Sequence, residues 1–190
     1  MEARERFEEL DARAATYEML AGLFLKEVTA DFLEGLCDDV RFADGPLGEY
    51  AASLANVDLG QARVDAVADY SALFLGMSAV PVPPYESVYT CEAQLLMQDA
   101  RDDAVRTYRE HGFAPAAEFN LPEDHAGVEL QFMALLCRAR LRRLAGRSSG
   151  RRAAGRRLGR SASRRDVPSA HPAAAGWGWE SPPGSCARCG

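Results

Sequence analysis

Apolar side chains in the first two thirds of the chain recur every three or four residues, the spacing that gives a helix one apolar face. Residues 3–26 show this pattern most clearly, with a stripe formed by Phe7, Leu10, Ala14, Tyr17, Leu20 and Phe24. Thr29 is suited to cap a second, short helix, and Asp58 to cap a long one that ends at Gly76. A further short helix is predicted at residues 47–55.

Prolines interrupt the helical pattern in the middle of the chain. The three prolines within Pro81–Pro84 remove backbone donors and favour extended neighbours, so residues 77–85 are predicted to be non-helical. The helical pattern returns over residues 87–110, with room for a kink within it, and Gly112 stops it.

A last helix is predicted after a linker at residues 113–119. Asn120 and Glu123 have the spacing of a capping box, and Pro122 is tolerated in a first helical turn. The helix is expected to bury four apolar side chains, Val128, Phe132, Met133 and Leu136. No segment shows the alternation of a β-strand, and no internal repeat is present. The predicted fold class is therefore all-α.

The composition changes abruptly after about Arg138. Residues 145–190 contain one Leu, one Val and no Ile, Phe, Met or Tyr, and they are rich in Arg, Gly, Ser, Ala and Pro. Such a segment buries too little apolar surface to offset its ordering entropy. We therefore predict a helical domain at residues 1–138 and a disordered Arg-rich tail at residues 139–190, whose first turns, to about Leu144, can extend the last helix.

The net charge of −6 conceals two segments of opposite sign. Residues 1–137 hold 26 Asp and Glu against 9 Lys and Arg, a net charge of −17, whereas residues 138–190 carry +11. A body at −17 repels nucleic acid and anionic membranes and favours cationic ligands. The N-terminus is charged and no apolar run approaches the ~20 residues of a spanning helix, so we expect a soluble, cytoplasmic protein without membrane insertion.

A first candidate site follows the prolines. Tyr85, Glu86, Ser87 and Tyr89 could form a surface on which a cationic, extended peptide binds. An Arg guanidinium stacks on Tyr and forks onto a carboxylate, so this chemistry suits Arg in particular. The alternative is structural: Ser87 caps a helix and the Tyr rings fill the core.

A second candidate site lies at the start of the last helix. Spacing of four places His125 and Glu129 on one helix face, next to Asp124. These residues suit a peptide-binding or hinge site, or a metal site. A metal would need further ligands, and the only other His are His111 and His171. The simpler interpretation has acids favoured at a helix start and His125 hydrogen-bonded between helices.

Two alternative functions remain open at this point. One is a small metal-dependent hydrolase centred on the second candidate site, although neither a Gly-x-Ser-x-Gly nor a Cys–His nucleophile signature accompanies it. No Gly-rich phosphate loop is present. The other is nucleic-acid binding by the tail, through the Arg pairs at residues 151–152 and 156–157. The C-x-x-C at residues 186–189 is a weak zinc signal without a second pair.

The two candidate sites together resemble the signatures of the TorD/DmsD family of redox-enzyme maturation chaperones. The resemblance begins at Tyr70–Gly76, runs through Pro81–Tyr89 and Tyr108–Gly112, and ends in Asn120–Met133. It covers about residues 5–138. The combination of Pro-Pro-Tyr-Glu-Ser with Pro-Glu-Asp-His and Glu-Leu-x-Phe-Met is specific, whereas either half alone is a moderate signal.

The resemblance implies a cytoplasmic, non-catalytic chaperone with a TorD-like helical bundle. Such proteins bind the twin-arginine signal peptide of a molybdopterin oxidoreductase, hold the apo form of its catalytic subunit during cofactor insertion, and delay export. We expect no metal or cofactor in the chain itself. With the candidate sites above, the resemblance gives the expected peptide-binding residues as Phe74, Pro84, Tyr85, Glu86, Tyr89, Pro122, Asp124, His125 and Glu129.

The tail departs from the family, whose members continue with amphipathic helices rich in Leu, Phe and Trp. A run rich in Arg, Gly, Ala, Ser and Pro with one sharp onset is what a GC-rich gene gives when it is read in a shifted frame. We therefore hypothesise a frameshift from about residue 138. It would leave the C-terminal helices missing and remove any meaning from the Arg pairs and the C-x-x-C.

Overall fold

Seven α-helices and one short strand pair make up the regular structure of the computed structural model, which describes residues 2–39, 45–115, 119–154 and 179–180. The helices are α1 Glu2–Leu25, α2 Ala30–Asp38, α3 Pro46–Ser53, α4 Leu59–Phe74, α5 Glu86–Thr90, α6 Asp99–Glu110 and α7 Ala126–Ala154. Strands β1 (Ala114–Pro115) and β2 (Trp179–Glu180) pair antiparallel. The all-α prediction is confirmed; the two strands were not predicted, because two residues are too few to show an alternating pattern.

The chain divides into two compact units. One contains residues 1–21 and 85–190, which we call the terminal unit. The other contains residues 22–84, which we call the central unit.

Three helices and their caps build the central unit. Leu33, Leu54 and Ala62 are its buried apolar core, one from α2, one at the end of α3 and one from α4. Thr29 Oγ1 accepts a hydrogen bond from the N–H of Phe32 at 3.2 Å, which starts α2. Asp58 Oδ1 accepts from the N–H of Gln61 at 2.9 Å and starts α4. Both predicted caps are confirmed.

Helix α7 supplies most of the buried core of the terminal unit. Val128 and Phe132 are buried on it, and the Phe132 ring packs on that of Tyr108 from α6 at 4.7 Å between centroids. Arg138 on α7 forms a double hydrogen bond with Glu18 on α1, at 2.9 and 2.8 Å. It also contacts Asp11. These ion pairs fasten α1 to α7 within the unit.

One predicted core residue, Met133, is 40% exposed, so that prediction is wrong. Phe7, the first member of the apolar stripe on α1, is 41% exposed. On α7 the buried side is the one that carries Phe132, and the next residue of a helix points about 100° away from it. Met133 therefore faces outward although its neighbour is in the core.

The predicted boundary at residue 138 is not a break in the structure. Helix α7 continues to Ala154, and Leu141 on it is buried. Residues 139–154 are therefore helical rather than disordered, because Ala, Arg and Leu are strong helix formers even where apolar residues are few. Most of the remaining predicted tail, residues 155–178 and 181–190, lies outside the described residues.

The helix predicted over residues 87–110 is two helices. Helix α5 ends at Thr90, α6 begins at Asp99, and the eight residues between them are non-helical. Gln94 and Met97 adopt positive φ angles of 52° and 58°, which interrupts any helix. The kink allowed for in this helix is thus a complete break, and its position has no local signal, since neither residue is the Gly or Asn that such a conformation favours.

Candidate functional site

Helix α7 is capped at its start by a histidine. Nδ1 of His125 accepts a hydrogen bond from the N–H of Gly127 at 3.0 Å, which is the bond that an N-cap side chain makes. A ring nitrogen that accepts carries no proton, so the imidazole is neutral in this arrangement. Burial lowers the pKa of His125, while the neighbouring Asp124 carboxylate acts in the opposite direction.

The capping box predicted at Asn120 and Glu123 is wrong, because α7 begins after both residues. Pro122 instead lies in a turn that its carbonyl oxygen closes by accepting from the N–H of His125 at 3.2 Å. The Glu123 carboxylate receives a fork of two hydrogen bonds from Arg101, at 2.6 and 2.9 Å. The sequence carries no local signal for this pair, since the two residues are 22 positions apart.

Asp124 is fully buried and holds the start of helix α5. Its Oδ2 accepts a hydrogen bond from the N–H of Ser87 at 2.9 Å, and its backbone oxygen accepts from the N–H of Glu86 at 3.0 Å. Oδ1 of Asp124 has no hydrogen-bond partner among the described residues. Asp124 therefore supplies the capping acceptor of α5, although it lies in a different sequence motif from that helix. The motif of Ser87 and the motif of Asp124 thus lie in contact.

Ser87 also contacts the residue just before α6. Its side chain is fully buried, and its Oγ accepts a hydrogen bond from the N–H of Gln98 at 3.1 Å. This bond brings together the two ends of the connection between α5 and α6. The alternative of Ser87 as a helix cap is wrong in detail, since Ser87 lies inside α5 and Asp124 is the cap.

The rings of Tyr85 and His125 also connect the two motifs. Their backbones form an isolated antiparallel bridge, and the two rings meet edge to face with centroids 5.0 Å apart. Desolvation by burial, and then the charge of Asp124, raise the pKa of Tyr85. The phenol therefore stays protonated and remains a hydrogen-bond donor at neutral pH.

Two further carboxyl groups meet beside the buried aspartate. Glu129 lies in the first turn of α7, where its carboxyl is close enough to interact with that of Glu86. Burial, then the charges of Glu86 and Asp124 and the interaction with the Glu86 carboxyl, raise the pKa of Glu129 to about 7. Near neutral pH the Glu129 carboxyl is therefore partly protonated. We call the six residues of this region the Asp124 corner: Tyr85, Glu86, Ser87, Asp124, His125 and Glu129.

The structure sorts the expected peptide-binding residues into groups. Asp124 and His125 are 0% and 4% exposed and their side chains accept backbone N–H bonds, so direct contact of either with a peptide stays a prediction. Glu86 and Tyr89 are exposed, and Tyr85, Pro122 and Glu129 are half-buried, so a ligand can reach these five.

Phe74 and Pro84 belong to the central unit and are described within it. The Phe74 ring packs against Phe24 and Tyr70, with centroids 5.3 Å away in each case. The Tyr70 hydroxyl donates to the carbonyl oxygen of Phe24 at 2.9 Å. Pro84 is buried. Phe74 therefore has structural contacts that account for its position, and Pro84 is shielded from solvent.

The described residues contain neither a metal-binding cluster nor a membrane-spanning helix. Within residues 2–39, 45–115, 119–154 and 179–180, no group of three or more His, Cys, Asp or Glu is placed to hold a metal ion. None of the helices in the same ranges is long and apolar enough to cross a membrane.

Comparison with known proteins identifies the family. The family model described as nitrate reductase delta subunit matches residues 33–158. The chaperone protein TorD of Photobacterium profundum is 39% identical over 139 residues, which cover 66% of this chain and 64% of that protein. The TorD of Ferrimonas balearica is 27% identical over 147 residues, which cover 71% of this chain and 68% of that protein.

A solved structure, of a putative redox enzyme maturation protein from Archaeoglobus fulgidus, is 28% identical with a TM-score of 0.43, covering 65% of this chain and 70% of that one. The chain belongs to the nitrate reductase delta subunit family, and it is similar to the TorD chaperones within it. The resemblance inferred from the two motifs is confirmed. The match spans 64% of the length of the Photobacterium relative.

Proposed function

We propose that this chain is a cytoplasmic chaperone that binds the twin-arginine signal peptide of a molybdopterin oxidoreductase. It holds the apo form of the catalytic subunit until cofactor insertion is complete, and it catalyses no reaction itself. Membership of the family and similarity to proteins named TorD chaperones support this proposal.

One observation carries the proposal: the carboxyls of Glu86 and Glu129 lie close enough to raise the pKa of Glu129. Among the described residues, no ion pair joins either carboxyl to a Lys or Arg. A guanidinium offers two parallel N–H donors and a delocalised charge, which suits a pair of adjacent carboxylates better than a Lys ammonium does. An Arg of the peptide is therefore the natural counter-ion.

The buried members of the Asp124 corner act as positioning residues in this proposal. The Asp124 carboxylate and the His125 ring nitrogen each accept from a backbone N–H, one at α5 and one at α7. Those bonds bring Glu86, at the start of α5, next to Glu129, in the first turn of α7. Because the Asp124 carboxylate and the His125 ring are engaged in holding the backbone, a binding site is favoured over the hydrolase alternative.

The proposal is tested by calorimetric titration of the full chain with a synthetic peptide that carries two adjacent Arg followed by an apolar run. We expect Glu86→Gln and Glu129→Gln each to weaken binding by about tenfold. Glu49→Gln, at an exposed carboxylate of α3, is the matched control and should leave the affinity unchanged. Equal affinity in all four proteins would show that the carboxyl pair is not the Arg site.

A further inference from the structure

The connection between α5 and α6 displays apolar side chains to solvent. Leu95, Leu96 and Met97 are three consecutive residues that are 56%, 46% and 60% exposed. Tyr89, at the end of α5, is 62% exposed. Runs of exposed apolar residues are unusual on a protein surface unless they contact a partner. We call the connection of residues 91–98 the Leu-Leu-Met loop.

The Leu-Leu-Met loop is a closed loop with a defined backbone. Its ends are tied together by the hydrogen bond from the N–H of Gln98 to Ser87 Oγ at 3.1 Å. Inside the loop, the N–H of Gln94 donates to the Cys91 carbonyl at 2.9 Å, and the Gln98 side chain donates to the Leu96 carbonyl at 2.7 Å. These bonds hold the apolar side chains outward.

Strain in the backbone supports a functional interpretation. Gln94 and Met97 both have positive φ, a conformation that costs non-glycine residues free energy. Neither position uses the Gly or Asn that would relieve this cost. A loop that keeps two strained residues and exposes three apolar ones between its ends has the features of a binding loop.

The charges around the loop indicate which partner it takes. Residues 85–100, all in the terminal unit, contain three Asp and Glu and no Lys, Arg or His. Glu92 lies inside the loop, Asp99 follows it, and both are exposed. An apolar surface within an entirely acidic stretch suits an apolar segment that is flanked by positive charge, and it repels apolar segments flanked by acids.

We propose that the Leu-Leu-Met loop binds the apolar segment that follows the Arg pair in the leader peptide. This inference rests on the proposed function and adds to it a second contact: the carboxyl pair takes the arginines, and the loop takes the apolar run. The link between the two is structural, because Ser87 is bonded both to Asp124 of the corner and to Gln98 at the end of the loop.

The test compares two peptides and three proteins. One peptide carries two Arg and an apolar run; in the other, Ser and Gly replace the apolar run. The double variant Leu95→Gln/Leu96→Gln should bind the first peptide about tenfold more weakly than the wild-type chain and the second peptide equally well. Val64→Gln, at a side chain 54% exposed on α4, is the control and should behave as wild type.

The heat capacity change gives an independent readout. Burial of apolar surface makes this change negative on binding, so the double variant should show a smaller negative value with the first peptide. Because the substituted side chains are exposed, the variant should melt at the wild-type temperature, which checks its fold.

The possible outcomes separate this inference from the proposed function. If the wild-type chain binds neither peptide, both ideas fail. If it binds the first peptide and the double variant binds it equally well, the chaperone proposal stands and the loop proposal is overturned. A change in oligomeric state on the double substitution, with unchanged peptide affinity, would also overturn it in favour of contact between two copies of the chain.

Discussion

Removal of the buried carboxylate by Asp124→Ala should destabilise the protein substantially. Asp124 is 0% exposed and its Oδ2 accepts the N–H of Ser87 at 2.9 Å. The substitution leaves that N–H without a partner inside the protein, which costs about 1–3 kcal/mol, and it also removes the cap of α5. Part of this loss is offset, because the carboxylate is desolvated and its Oδ1 has no partner in the described structure.

We therefore expect a net loss of about 2 kcal/mol in the free energy of unfolding. For a chain of this size, that corresponds to a decrease in Tm of roughly 4–8 °C. Urea denaturation followed by circular dichroism measures it, because a lower midpoint at constant slope reports stability alone.

The controls for this prediction use the same chemistry elsewhere. Asp69→Ala replaces an exposed carboxylate on α4 and should change stability by no more than about 0.5 kcal/mol. Asp124→Asn keeps an acceptor oxygen and should fall between the wild type and Asp124→Ala. Wild-type stability in Asp124→Ala would refute the argument that this carboxylate holds the corner together.

Three further predictions concern pH and packing. Because the pKa of Glu129 is raised to about 7, the folded protein binds more protons than the unfolded chain above pH ~4.5, so stability should fall as pH rises through 7. After a discount for solvent screening, Glu129→Gln should remove about 1–2 kcal/mol of this fall, measured by urea titrations at pH 5 and 8. The lowered pKa of His125 gives the opposite pH dependence: stability should fall as pH drops below ~6.5. His125→Asn keeps a capping acceptor and should weaken this dependence in the same titrations. Arg138→Ala removes the two hydrogen bonds to Glu18 and should lower the free energy of unfolding by about 1 kcal/mol. A double-mutant cycle with Glu18→Ala should find a coupling energy of similar size, and additive effects would contradict a direct interaction.

Local signals in the sequence were sufficient for the helix boundaries that depend on one residue. Thr29 and Asp58 cap α2 and α4 as expected, because an N-cap bond involves only the next few residues. Gly76 and Gly112 follow α4 and α6 with φ angles of 73° and 75°, values that only glycine adopts at little cost. These features are local chemistry, and a single sequence contains them.

Features that depend on distant contacts could not be derived in this way. The break between α5 and α6 is held by Ser87 and Gln98, and the positive φ of Met97 has no local cause. The start of α7 was misplaced because Asn120 matched a cap motif locally, whereas His125 provides the cap in the folded protein. In each case a tertiary hydrogen bond overrides local preference.

The sequence indicated that the two motifs lie together, but not which of their residues are buried. The two motifs do meet, through Asp124 and Ser87. Their exposure differs from expectation, because the sequence cannot show that Asp124 and His125 are buried while Glu86 is exposed. The residue types indicated a site for a cationic peptide, but only the structure separates the groups that position the corner from those a ligand can reach.

The most direct test of the central claim is titration of the wild-type chain with the two-Arg leader peptide and with the same peptide in which both Arg are replaced by Gln. We predict that the Arg peptide binds with a Kd in the micromolar range or below, that the Gln peptide binds at least about tenfold more weakly, and that added salt reduces this difference. Equal affinity for the two peptides at low salt would contradict the claim that an uncompensated carboxyl pair recognises arginine.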